Sequence, residues 1–535
     1  MKEEDNPLFS DVLIVGAGFA GIYMLYKLRE KGFSAAILET GSGIGGTWYW
    51  NRYPGARCDV DNMFYSYSFD EKLDMEWNWS ERYPTQTEIL EYANHVVERY
   101  DLGAYIHLNS RVISARYLDD GPYWLLQVED GRQFSSQFVV MATGCLSAAN
   151  LPAFPGTETF GGRLYHTGHW PKEKIDFTGR RVGVVGTGSS GVQVIQEVAK
   201  VAQKLTVFQR TASYVVEAFN HRLTDEDRAY FKENHRALRS AAKETFGGFS
   251  NIANDQSALS VSLEECQQKF ERAWQAGGNS LLVSFNDLVF SADANKLAQD
   301  FVRDKIRAIV KDKETLQKLI PHHTIGCKRL CLGTNYYETY NRQNVCLIQL
   351  DETGIQRVTP EGVIANGTEF ELDDLILATG FDAMTGALAK INIEGRDGLK
   401  LRDAWAAGPR TYLGLMTHNF PNFFTVTGPG SPSVLSNMLP TIEHHVDWIS
   451  ECLCYLRESE VTVIEADLDA QDTWVEHGNQ IAAGTLRYTC SSWYLGANVP
   501  GKPRVFMPYI GGMPAYRKIC ENVVSRGYEG FTLRA

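Results

Sequence analysis

Strand-length apolar runs, each delivered into a glycine turn and then into a helical repeat, set the rhythm of this chain. Asp11-Val-Leu-Ile-Val15 has no polar alternation, the pattern of a strand buried on both faces; it leads into Gly16-Ala-Gly18-Phe-Ala-Gly21 and then into helical spacing from Ile22 to Lys31. Arg181-Val-Gly-Val-Val185 does the same, leading into Gly186-Thr-Gly188-Ser-Ser-Gly191 and a helix marked by Val192, Ile195 and Val198. From Tyr214 to about Ile325 the spacing is helical, with Leu297, Phe301, Val302, Ile306 and Ile309 behind Ser291, and with Thr224 and Asp227 spaced as a capping box. Short strands are expected at Phe138–Met141, Val345–Gln349 and Leu375–Ala378, the first and last running into Ala-Thr-Gly. No internal repeat is visible. The pattern predicts an α/β protein with two Rossmann-like dinucleotide-binding domains, one nested in the other. Residues 1–145 form the first part of the outer domain, 146–381 the inner domain with a helical insertion over about 215–325, and 382–535 the return, because residues 1–145 alone leave the outer sheet short of strands.

Composition narrows the function classes. Of 535 residues, 44% are apolar and 22% charged, ordinary globular proportions that argue against disorder. Lys and Arg number 52 against 65 Asp and Glu, a net charge of −13 that speaks against nucleic acid and anionic lipid as partners. No apolar run approaches the ~20 residues of a membrane span. The charged start, Met1-Lys-Glu-Glu-Asp5, lacks the apolar core of a signal peptide, so the cytoplasm is the expected compartment. Ten cysteines without a Cys-x-x-Cys pair are expected to be reduced thiols, and no metal site is expected.

The two glycine motifs carry the first chemistry. Each follows a strand and opens a helix, so backbone N–H groups and a helix N-terminus meet where a pyrophosphate can lie. Glu39 stands eighteen residues beyond Gly21, at the end of the next strand, where a carboxylate suits a ribose diol. Nineteen residues beyond Gly191 stands Arg210, followed by Thr211, with no acid in that place; a guanidinium suits a 2′-phosphate. FAD in the first motif and NADPH in the second is the economical assignment.

Phe160-Gly-Gly162-Arg-Leu-Tyr-His166-Thr-Gly-His-Trp170-Pro171 resembles the fingerprint of type I Baeyer–Villiger monooxygenases. Gly45–Asp59, Lys328-Arg329, Ala378–Gly386, Gly428–Ser433 and Trp493–Arg504 resemble blocks of the phenylacetone and steroid monooxygenase branch, so the likeness spans nearly the whole chain. The related N- and S-oxygenating flavin monooxygenases usually carry Tyr or Phe without Pro where this chain has Trp170-Pro171; that reaction is the alternative.

The resemblance implies NADPH reduction of FAD, O₂ capture as a C4a-peroxyflavin, and conversion of a ketone to an ester or lactone. It makes Arg329 the catalytic guanidinium and Asp59 its partner. It assigns Gly16, Gly18, Gly21, Glu39, Gly46, Thr47, Trp48, Asp59, Tyr65, Val112 and Met438 to FAD. To NADP it assigns Gly186, Thr187, Gly188, Ser189, Ser190, Gly191, Arg210, Thr211, Lys328 and Trp493. Val60, Leu146, Ser433, Val434, Leu435 and Met507 are expected to line the ketone pocket. Phe160, Gly162, His166, Trp170 and Pro171 are expected in the linker, His166 as a hinge rather than an acid–base group. A monomer acting on a small ketone and O₂ is the expected working unit. A disulfide reductase would need a cysteine pair beside the flavin, and a mere nucleotide-binding module would not need Lys328, Arg329 and Asp59 together.

Overall fold

The computed structural model describes residues 7–249 and 254–535. Leu8–Val15 forms the centre of the first sheet, paired in parallel with Ala35–Leu38 on one side and Gln133–Met141 on the other. Its last four residues are buried, as an unbroken apolar strand requires when layers cover both faces. Ile106–His107 extends one edge; Tyr123–Val128 and Val112–Leu118 extend the other in antiparallel fashion. Two strands from the last third of the chain join this same sheet, Asn392–Glu394 beside Val112–Leu118 and Phe423–Thr425 beside Val139–Met141.

The second sheet is wholly parallel, in the order Val345–Gln349, Lys204–Gln209, Arg181–Val185, Asp374–Leu377 and Arg163–His166. Three antiparallel strands between Ile355 and Glu371 cap it. Both fingerprints thus sit at the carboxyl ends of parallel strands, where open α/β sheets bind ligands.

The helical stretch divides between two cores. Ser291 caps Ala292–Ile309, which buries Ala298, Val302 and Ile306 in the core of the second sheet together with Cys266 and Phe270 of Leu263–Ala276. Thr224 and Asp227 form a capping box at the start of Asp225–Lys243. That helix turns instead to the first unit, where Arg239 grips Asp74 through two hydrogen bonds of 2.6 and 2.9 Å. Helical periodicity shows which face is apolar, not which sheet receives it.

One expectation is corrected outright. Cys327 and Cys490 are joined in a disulfide across 163 residues, and the other eight cysteines are free. Spacing could not reveal this pair, because tertiary folding alone brings the two Cα atoms to 6.2 Å. No described helix is long and apolar enough to cross a membrane, and no described cluster of His, Cys, Asp or Glu could hold a metal ion.

Candidate active site

The two glycine motifs are built alike. A Cβ on Gly16 would lie 2.6 Å from the Ala142 carbonyl oxygen, and one on Gly21 would lie 1.9 Å from the Gly16 oxygen. In the second motif a Cβ on Gly186 would lie 2.5 Å from the Ala378 oxygen, and one on Gly191 would lie 2.1 Å from the Gly186 oxygen. The outer glycines are therefore demanded by the fold itself. The middle ones are not: a Cβ on Gly188 meets nothing within 4 Å, and one on Gly18 meets only Gly46, at 3.5 Å. Both middle glycines start a helix in extended backbone that any residue could adopt. The space they keep clear, at the N-termini of Phe19–Glu30 and Ser189–Val201, fits a dinucleotide pyrophosphate at each.

Glu39 is buried behind the first turn. One carboxylate oxygen accepts the Ala17 N–H at 2.7 Å and the other the Gly41 N–H at 2.6 Å. Burial raises its pKa, and the two backbone donors hold that rise back. Each oxygen keeps a lone pair for a ribose hydroxyl. Gly46, with φ of +54°, passes close against Gly18 and precedes the short helix Thr47–Trp50. The Trp48 indole N–H donates to the Tyr65 hydroxyl at 3.1 Å, and Val112 is buried at the start of its strand.

At the second turn Thr187 donates to the Thr211 carbonyl, and the Ser189 hydroxyl lies 3.7 Å from the Cys331 sulfur. Ser190 stands beside the Tyr53 hydroxyl and lowers its pKa slightly against the larger upward effect of burial. Arg210 and Thr211 are exposed at the end of Lys204–Gln209. Burial first, and then the Arg210 charge, push the Lys328 ammonium below its usual pKa. Two cations near enough for one to lower the other's pKa suit an anion such as a 2′-phosphate.

Adjacent in sequence, Lys328 and Arg329 diverge. Arg329 turns to Asp59, donating from Nε and from one terminal nitrogen to the two carboxylate oxygens, each at 2.8 Å. The other terminal nitrogen donates to the Val434 carbonyl at 2.9 Å. Burial opposes the guanidinium's charge, but Asp59 outweighs it and holds the pKa well above the ordinary value. Of five guanidinium N–H donors, three are engaged, which leaves one on each terminal nitrogen.

The Val434 side chain belongs to an apolar cluster with Met507, Tyr494, Phe506 and Cys145, against which Leu146, Leu435, Met438 and Trp493 pack. Most of the expected pocket residues therefore converge beside the guanidinium. Val60, next to Asp59, packs with Trp48 and Phe64 in the core of the first sheet. Ser433 is fully buried and donates to the Thr427 carbonyl at 3.1 Å. Sequence reading missed Tyr494, whose position beside Trp493 was its only signal, and Arg487, which no motif marks.

The fingerprint residues tie the two sheets together. His166 Nδ1 accepts the Gly168 N–H at 3.0 Å, so a neutral ring carries its proton on Nε2 and donates to Thr379 Oγ1, 3.1 Å away; Thr379 in turn donates to the Asn150 carbonyl. Burial, reinforced by His169, pushes the His166 pKa down to about 4, so the ring is neutral at physiological pH. Trp170 stacks on Tyr165 at 5.1 Å and its backbone N–H donates to the Trp50 carbonyl. Gly162 has no room for a side chain, since a Cβ would lie 2.4 Å from the Asp373 oxygen, while Phe160 packs on the core of the second sheet. Pro171 follows at the end of this crossing.

A flavin-binding monooxygenase-like family model matches residues 10–230. A Baeyer–Villiger monooxygenase of Pseudooceanicola batsensis is 41% identical over 522 residues, 97% of this chain and 95% of that protein. Phenazine N-monooxygenase PhzNO1 of Lysobacter antibioticus is 40% identical over 539 residues, 100% of this chain and 99% of its own. An oxidized steroid monooxygenase bound to NADP superposes with a TM-score of 0.94 at 46% identity, over 98% of this chain and 99% of that one. With two glycine turns at helix N-termini and a guanidinium clamped by Asp59, this full-length likeness establishes that the chain belongs to the type I Baeyer–Villiger monooxygenases, flavoproteins that work with FAD and NADPH.

Proposed function

We propose that this enzyme converts ketones with hydrocarbon bodies to esters or lactones, with Arg329 and Asp59 as its catalytic pair. Ketone, O₂, NADPH and a proton give ester, NADP⁺ and water. FAD, bound over the first glycine turn, supplies the oxygen-activating chemistry; the protein supplies charge, orientation and exclusion of water. The observation that carries the reading is the Arg329 guanidinium, locked on three sides yet left with two N–H donors beside an apolar cluster. A guanidinium does not lose its proton at working pH, and Asp59 and Val434 restrict its swing, so it presents a fixed positive charge to the oxygen anion that forms during turnover. Leu146, Val434, Leu435 and Met507 supply the walls for a hydrocarbon body.

In the same reading Lys328, Arg210 and Thr211 hold the 2′-phosphate. Trp493 covers the nicotinamide end, and His166 with Trp170 couples the two nucleotide units. In the same reading the enzyme works as a monomer in the cytoplasm. The 40% identity to a phenazine N-monooxygenase favours N-oxygenation as the second reading. Ketone-dependent NADPH oxidation with an ester detected by gas chromatography, run beside phenazine and a thioether, tests both: oxidation of the heteroatom alone, with no ester from any ketone, would overturn the first.

The cofactor preference has its own test. Arg210→Ala removes a charge-assisted contact of roughly 1.5–3 kcal/mol, so KM for NADPH is expected to rise about tenfold or more while that for NADH stays nearly constant. Equal changes for both cofactors would remove Arg210 from the phosphate site.

A further inference from the structure

Arg487 is a half-buried charge without a countercharge among the described residues. Its Nε is shielded from solvent with no hydrogen-bond partner, and no carboxylate lies within ion-pair reach among the described residues. Its guanidinium lies over the Tyr494 ring, 5.6 Å from the centroid. Tyr494 is 2% exposed, and its ring packs against Trp493 and Phe506, at 4.2 and 6.0 Å between centroids, within the apolar cluster that also holds Val434 and Met507. The Cys327–Cys490 disulfide fixes Arg487 near the site from both directions, since Cys327 stands two residues before Arg329 and Cys490 three residues after Arg487. Burial lowers the Arg487 pKa; Tyr494 offsets part of that, and the like charge of Arg329 adds to it. Arg329 is neutralised by Asp59, whereas Arg487 has only a phenol and an aromatic face beside it.

A guanidinium held against an aromatic cluster with its Nε shielded, its terminal nitrogens open and no carboxylate beside it is set to receive an anion that an incoming ligand brings. We infer that Arg487 is a specificity residue that receives the carboxylate of the substrate, so that the preferred ketones are oxo acids with a hydrocarbon body between carbonyl and carboxylate. This rests on the reading of the apolar cluster as the ketone pocket. The carbonyl is placed toward Arg329 and the carboxylate toward Arg487, with Tyr494 and Phe506 along the apolar span.

The test compares 5-oxo-6-phenylhexanoate with its methyl ester, which differ by one charge. Wild-type holoenzyme is expected to favour the acid by about tenfold or more in kcat/KM, the scale of a hydrogen-bonded charge pair. Arg487→Met should lose that preference, with turnover of the methyl ester within about twofold and KM for NADPH unchanged; Arg487→Lys should keep part of it. Removing a half-buried charge that makes no ion pair should not weaken the fold, and the wild-type comparison stands without any variant. No acid preference in the wild type, an equal loss for acid and methyl ester in Arg487→Met, or a raised KM for NADPH would each overturn the inference, the last by making the cofactor's phosphates the missing anion. If no neutral ketone yields ester either, the ketone reading itself fails and takes this one with it.

Discussion

Arg329→Ala is expected to stay yellow, to accept electrons from NADPH and to make almost no ester. The guanidinium acts on charge that exists only after oxygen has entered the reaction, so its loss falls on that step and not on ketone binding. Deleting one preorganised donor of this kind costs on the order of 2.7–4 kcal/mol, or about two to three decades in rate. NADPH oxidation should continue, with hydrogen peroxide replacing ester as the product. Asp59→Ala should be milder at that step but broader in effect, since it frees two of the three engaged N–H donors and leaves the guanidinium held by Val434 alone. Stopped-flow absorbance follows flavin reduction, gas chromatography the ester, and a peroxidase-coupled dye the peroxide. Ester at the wild-type rate from Arg329→Ala would make this arginine a structural residue.

Gly18→Val is expected to give folded, colourless protein. The fold has room for the new side chain, because its Cβ would sit in ordinary contact with Gly46 and the backbone there is extended. The space it fills is the one a pyrophosphate needs at the helix N-terminus. The ratio of 450 to 280 nm absorbance should drop to about a tenth of the wild-type value or less, while far-ultraviolet circular dichroism is unchanged. Gly188→Val should show the converse: full flavin colour and a lost response to NADPH. A yellow Gly18→Val protein would mean that the first turn does not carry the flavin.

Much of this was written in local pattern. Both strand, turn and helix units are legible because apolar strands and glycine turns are short-range signals, and Thr224 and Ser291 announce their helices through side chains that reach only three residues ahead. The clamp on Arg329 is legible only through family resemblance, since Asp59 lies 270 residues away. What could not be read is what depends on burial. Arg487 looks like any surface cation until the fold shields its Nε and lays its guanidinium over Tyr494. The disulfide is of the same kind: two cysteines with nothing local to set them apart from eight others.

That disulfide makes stability a property of the surroundings as well as of the chain. The loop it closes takes in strands of both sheets, Val345–Gln349 and Asp374–Leu377 from one, Asn392–Glu394 and Phe423–Thr425 from the other. Closing a loop of that span removes on the order of 5 kcal/mol of chain entropy from the unfolded ensemble, and two separate thiols remove none. Dithiothreitol in the storage buffer therefore selects between two proteins of one sequence, and the sturdier of them belongs to an oxidising solution.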